Sequence, residues 1–204
     1  MKTGDKKIFV TLFFSIFATV TGVGIVIPLL PVYAYELGAG GFYIGMIFGS
    51  FSLARTFFLP YFGRLSDRKG RKPLIVPALL AYAAISMGFI VFKDIHALIA
   101  LRFFQGIASA MLMPIIQAYI GDITPPGNEG FTMGLFNMSM FLGLSIGPLI
   151  GGEIRDHFSL DTSFACMGGL AFAGFLLSLF LLPPTRSESV VNRGTNPIEW
   201  RRQH

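Results

Sequence analysis

Long apolar stretches alternate with short polar breaks along this chain. Six stand out, at about 8–33, 42–62, 74–92, 97–121, 131–152 and 163–182, each apolar all round rather than along one stripe. Each is about 19–26 residues long, near the roughly 20 that carry an α-helix across about 30 Å of hydrocarbon. A spanning strand would need only about 9–11 residues and would alternate apolar with polar positions, which these runs do not. A helix satisfies its own backbone where no water is present, so the pattern predicts six transmembrane helices.

Composition narrows the class. Of 204 residues, 53% are hydrophobic and only 13% charged, against about 25% charged in a soluble domain. That excludes a soluble enzyme and a disordered chain. A single cysteine, Cys166, excludes a disulfide scaffold. Lys2, Lys6 and Lys7 precede the first stretch as in a signal peptide, but a signal's apolar core is only about 7–15 residues. This stretch runs on to Pro28 and Pro31 and reads as a retained span.

The basic residues set an expected orientation. Lys2, Lys6 and Lys7 at the start, Arg64, Arg68, Lys69, Arg71 and Lys72 between spans 2 and 3, and Arg186, Arg193, Arg201 and Arg202 in the tail all fall on one side. Lys93 and Arg155 fall on the other, while Arg55 and Arg102 lie inside spans. Basic residues stay cytoplasmic, so both termini are expected there, in the cell (inner) membrane. The net charge of +5 is then topological and calls for no nucleic acid. The connection at 122–129 breaks the trend, having no Lys or Arg.

A faint internal echo suggests two copies of a three-helix unit. Pro114 follows Pro28 by 86 residues, and the segment Pro148–Gly151 follows Pro60–Gly63 by 88. Three being odd, the copies would be inverted relative to each other, a transporter architecture.

The segment Gly63-Arg-Leu-Ser-Asp67-Arg68-Lys69-Gly70-Arg71-Lys72-Pro73 is the most informative. A tight turn with headgroup anchors accounts for its cations and for Gly70 and Pro73. It leaves the spacing of Gly63, Asp67 and Gly70 unexplained. Gly63 at a helix end admits a neighbouring helix, and Asp67 and Arg71 are four apart, within reach of a charge-assisted bond. This string resembles the signature loop of the major facilitator superfamily, matching at Gly63, Asp67, Arg68, Gly70, Arg71 and Lys72. The resemblance implies a cytoplasmic latch, with Asp122 at the end of span 4 as partner for Arg71 or, alternatively, as a solvated helix-ending acid.

Two further segments bear on this. In span 4, Arg102, Gln105 and Ser109 share one side of a helix. Arg102 either snorkels to the outer interface or faces the interior. Its Arg-x-x-Gln-Gly pattern, which includes Gly106, is similar to the superfamily's helix 4 motif and implies a proton pathway. In span 5, Gly143, Gly147 and Gly151 stack on one face, and Pro148 should bend the helix. A generic small-residue packing face is one reading. The full pattern with Gly152 looks like the antiporter motif of drug:proton antiporters, which implies export. Asn137-Met-Ser139 lies within span 5, so Asn137 reads as an interhelical hydrogen-bonding residue and not a glycosylation site.

Departures from the superfamily pattern are equally specific. The family has twelve or more spans in two halves, and this chain supplies six. Span 1 has no Asp or Glu, so no proton-carrying acid is identified; Glu36 and Glu153 lie at outer helix ends. The connection after span 4 lacks the Arg that relatives often have. His96, His157, His204 and Cys166 have no ligand spacing, no nucleotide-binding loop is present, and no polar constellation at depth suggests a membrane enzyme.

The expectation is therefore an all-α membrane protein, a six-helix major-facilitator half with a 3+3 inverted repeat. Residues 1–7 are the cytoplasmic N-terminus, 8–183 the bundle, and 184–204 a cytoplasmic tail beginning the linker between halves. The resemblance implies proton-coupled efflux of hydrophobic small molecules by alternating access, with Arg102, Gln105, Gln117 and Asn137 on the cavity. It requires no metal and no cofactor. Its partners are a small-molecule substrate, protons, the bilayer and a second six-helix half, supplied by a separate chain, a missing C-terminal half or self-association. The alternatives are an uptake symporter or uniporter of the same fold, and a truncated fragment that transports nothing.

Overall fold

The computed structural model describes residues 3–183. Each expected span is a helix: α1 (Thr3–Glu36), α2 (Gly41–Lys69), α3 (Lys72–Val91), α4 (Ile95–Ile123), α5 (Glu129–His157) and α6 (Leu160–Leu181). All six are long and apolar enough to cross a membrane. Among the described residues there is no strand. The tail expected at 184–204 lies outside the described residues.

Several helices overrun the apolar stretches that announced them. α2 continues through Gly63 to Lys69, and α5 continues past Gly152 to His157. The glycine-ended boundaries read from the sequence are corrected accordingly. Charged residues follow each stretch, and Arg and Lys are good helix formers, so the helix outlasts its hydrophobicity. What stops each helix is local chemistry. Gly70 ends α2 at φ 91°, ψ 167°, with its N–H donating to the Ser66 carbonyl. The Asp94 carboxylate caps α4 by accepting from the backbone N–H groups of His96 and Ala97. Ser159 caps α6 by accepting from that of Thr162.

The packing repeats the echo seen in the sequence. α1 lies mainly against α5 and α6, α4 lies mainly against α2 and α3, and α3 packs on α6. Exchanging 1 with 4, 2 with 5 and 3 with 6 returns the same arrangement, as an inverted repeat demands. Two close seams join one triplet to the other. A Cβ added to Gly147 of α5 would meet the Gly24 backbone of α1, and one added to Gly106 of α4 would meet the Phe51 carbonyl of α2. Lipid tails compete with any apolar contact, so helices in a bilayer associate through such small-residue approaches and through polar bonds. Ser139 Oγ donating to the Phe13 carbonyl at 2.9 Å and the Ser15–Ser178 hydroxyl pair at 3.1 Å are bonds of this kind.

The interior forms two apolar layers. Leu12, Ile16, Ile75, Leu79, Ile116 and Tyr119 anchor one at the end bearing the α2–α3 turn. Ile25, Leu30, Ile47, Phe89, Leu98 and Phe164 anchor the other at the opposite end. α2 and α5 sit at the two margins and are the least buried of the six. Phe57, Tyr61, Phe141 and Leu149 are among their exposed side chains.

Candidate functional site

The α2–α3 turn has the densest polar geometry. Only Gly70 and Arg71 separate the two helices, so the last turn of α2 and the first of α3 are forced together. Arg71 is buried and reaches three partners. Its Nη1 donates to Asp67 Oδ1 at 2.6 Å and to Ser66 Oγ at 2.6 Å, and its Nε donates to Asp122 Oδ2 at 3.1 Å. The cluster ties the end of α2, the start of α3 and the end of α4 into one knot. Lys72 adds a fourth element, its Nζ donating to the Leu179 carbonyl at 2.8 Å and to that of Leu182. A cation on the free carbonyls of a helix C-terminus is favourably placed. Arg68 is exposed. A Cβ on Gly63 would meet nothing within 4 Å, so the helix that this glycine was expected to admit is not among the described elements. An open groove runs along α2, lined by Phe57, Pro60, Tyr61, Arg64, Leu65 and Arg68.

On α4 the structure decides between the two readings of Arg102. Its guanidinium does not turn to the outer interface; the residue is 4% exposed. Nη1 donates to Gln105 Oε1 at 2.8 Å. The guanidinium carbon lies 5.1 Å and 4.9 Å from the ring centres of Phe48 and Phe51 on α2, within cation–π range. Nε has no hydrogen-bond partner among the described residues. Gln105 continues toward α6, where Met167 Sδ lies at 4.0 Å. Gly106 serves the seam with α2, where any side chain would strike the Phe51 carbonyl.

The glycine face of α5 is turned onto α1. Added Cβ atoms at Gly143, Gly147 and Gly151 would meet α1 backbone at Thr21, Gly24 and Ile25, at 3.0, 2.7 and 2.7 Å. Pro148 is exposed, and Gly152 has open space. Gln117 and Asn137 are both exposed. The Asn137 side chain makes no hydrogen bond to a described residue and projects from the margin of the bundle.

Sequence reasoning passed over Arg55. It is the fifteenth of the 29 residues of α2, inside its apolar stretch, and partly exposed. It makes no hydrogen bond or ion pair among the described residues. Tyr82 of α3, buried and facing Ser109, lies within electrostatic range of both Arg55 and Arg102. The signal was available, since a charge at the centre of a span marks a functional position by default.

The opposite end of the bundle has its own ion pairs. Arg155 Nη2 lies 3.4 Å from Glu36 Oε1, joining α5 to α1, and Lys93 Nζ lies 2.8 Å from Asp161 Oδ2. Glu36 and Asp122 are 86 residues apart, the same offset as Pro28 and Pro114. Each acid closes the first helix of its triplet and receives an arginine.

A family model described as Major Facilitator Superfamily matches residues 12–202. An uncharacterized MFS-type transporter of Methanocaldococcus jannaschii is 34% identical over 195 residues, covering 96% of this chain and 49% of that protein. The quinolone resistance protein NorA of Staphylococcus aureus is 32% identical over 178 residues, covering 87% of this chain and 45% of NorA. Among solved structures, the human organic anion transporter MFSD10 matches at a TM-score of 0.75 with 19% identity, over 90% of this chain and 49% of that one. A peptide transporter, POT, matches at 0.75 with 21% identity, over 85% and 37%. The chain thus spans about half the length of the curated relatives it matches.

Proposed function

Because this chain belongs to the major facilitator superfamily, we propose that it acts as one six-helix half of a secondary transporter that expels hydrophobic small molecules. Outward movement is coupled to inward protons, and the chain performs transport rather than catalysis. The α2–α3 turn and both ends of the chain face the cytoplasm of the cell (inner) membrane. The bundle rocks against a second six-helix unit, opening a midplane site to each side in turn.

One observation carries this reading. α2 and α5 flank the bundle with apolar faces that no described helix covers, while their inner faces are locked to α4 and α1 through seams no side chain can enter. A rigid bundle with two open margins is suited to a facing wall and to rocking as a unit. The likeness to NorA, a quinolone resistance protein, across 87% of the chain supports export and an apolar substrate. On this reading Arg71, Asp67 and Asp122 latch the cytoplasmic end, Lys72 ties the latch to α6, and Arg102 with Gln105 lies beside the proton route. Gly143, Gly147 and Gly151 seal α5 to α1, and Gln117 and Asn137 face the second unit.

Everted membrane vesicles from cells expressing the chain test it. A proton gradient should drive a hydrophobic fluorescent dye into the vesicles, and a protonophore should abolish the uptake. Accumulation of the dye by intact cells would reverse the direction. No dye movement, together with monomers alone on cross-linking, would leave a fragment that folds without transporting.

A further inference from the structure

We propose that Arg55 binds the anionic group of the substrate, making this half selective for amphiphiles that carry a carboxylate or similar oxyanion. The inference rests on the transporter reading above and adds a substrate class to it.

The argument begins with the cost of the residue. A guanidinium carries its charge with it into the membrane, and such a charge at the bilayer centre persists only with a counter-charge, polar partners or water. Arg102 has solved this problem inside the bundle, with Gln105 and two phenylalanine rings around it. Arg55 has no comparable cage. The apolar stretch of α2 ends at Phe62, seven residues on, about 10 Å at 1.5 Å per residue, and begins about 20 Å away on the other side, so its guanidinium starts well inside the hydrocarbon. Nor is an acid in reach. Every described Asp or Glu lies in a connection or within five residues of a helix end. The membrane interior of this half thus holds two cations and no anion.

The surroundings specify the ligand. Phe58, one turn on from Arg55, lies on its side of the helix and offers an apolar surface for a ring, while Phe51, one turn back, is already engaged with Arg102. A guanidinium fork matches a planar carboxylate with two parallel bonds. An aromatic or aliphatic body with one anionic group satisfies both features, whereas a cationic amphiphile meets only repulsion.

The test is equilibrium binding to the purified chain in phosphatidylcholine nanodiscs, with empty discs subtracted. The probes are a matched pair, a naphthyl carboxylate and the corresponding naphthyl amine. The carboxylate should bind at least about tenfold tighter than the amine. Arg55→Gln should remove most of that preference, and Arg55→Lys, which keeps the charge but loses the fork, should retain part of it. Equal affinities in the native chain would overturn the proposal, as would a carboxylate from a facing unit already seated on Arg55, which gives the same result. Unchanged carboxylate binding in Arg55→Gln, or an equal loss for both probes, would also overturn it. Failure of dye transport with the preference intact would remove the efflux reading and leave the anion site. Intact transport with no preference would remove only the site.

Discussion

Gly147 of α5 and Gly24 of α1 cross so closely that a Cβ on Gly147 would lie 2.7 Å from the Gly24 Cα. Two helices thereby touch backbone to backbone, flanked by equally tight approaches at Gly143 and Gly151. This seam fixes α5 to α1 while its outer face, with Pro148 and Leu149, stays open.

Gly147→Ala should therefore destabilise the bundle by about 1–3 kcal/mol, the usual cost of overpacking, because the obstructing atoms are backbone and cannot rotate away. Gly152→Ala enters open space and should be neutral or stabilising by up to about 1 kcal/mol, the helix-propensity gain of alanine over glycine. Thermal midpoints of the two variants in detergent check the contrast. Equal midpoints would remove the seam from the account.

Arg71 is the hub of its cluster and Asp122 only one spoke. Arg71→Ala strips bonds from Ser66, Asp67 and Asp122 together and should cost about 1.5–3 kcal/mol, the range for hydrogen bonds to a charged group. Asp122→Ala leaves the other two in place, and Asp122 is 43% exposed, so about 0–1 kcal/mol is expected. A charge exchange, Arg71→Asp with Asp122→Arg, should recover only part of the loss, since Asp67 then faces a second carboxylate. Adding Asp67→Asn should complete the recovery. Denaturation midpoints across the series measure the coupling.

Gly70 occupies φ 91°, ψ 167°, a region open in practice only to glycine. Gly70→Ala should cost about 1–3 kcal/mol and pull Arg71 out of register with Asp67. Faster hydrogen exchange around residues 66–72, with the opposite end of the bundle unchanged, is the expected signature.

Lys93 sits in the connection between α3 and α4, outside the spans. Its hydrogen bond to Asp161 and that carboxylate's charge raise its pKa above the usual 10.5. A raised lysine stabilises the folded state fully below its unfolded value and loses that contribution as pH climbs through the folded one. The thermal midpoint should thus fall above about pH 10.5. In Asp161→Asn that arm of the profile should flatten, as a pH series from 9 to about 12 would reveal.

The sequence was most legible where one residue decides one local event. Gly70 ends a helix because of its own φ, and the four-residue spacing of Asp67 and Arg71 brings them together across one turn. It was less legible at boundaries, since hydropathy reports where lipid ends and not where backbone hydrogen bonding ends. That difference hid the continuation of α2 to Lys69 and of α5 to His157. Lys72 read as one more basic anchor, because its carbonyl partners at Leu179 and Leu182 are more than a hundred positions away.

By itself the chain of residues determined that six helices would form and span a bilayer, since length and hydropathy suffice for segments that satisfy their own hydrogen bonds. It also carried the spacing of the two triplets and the chemistry of the turn at Gly70. Only the tertiary structure decided which faces meet. It showed that Arg102 turns inward onto Phe48 and Phe51, that the glycines of α5 close on α1, and that Arg55 has no hydrogen-bond or ion-pair partner among the described residues. The physical reason is that an all-round apolar helix has no stripe to mark its inner face. In lipid that choice falls to small residues and polar contacts on neighbouring helices, which exist only once the bundle is assembled.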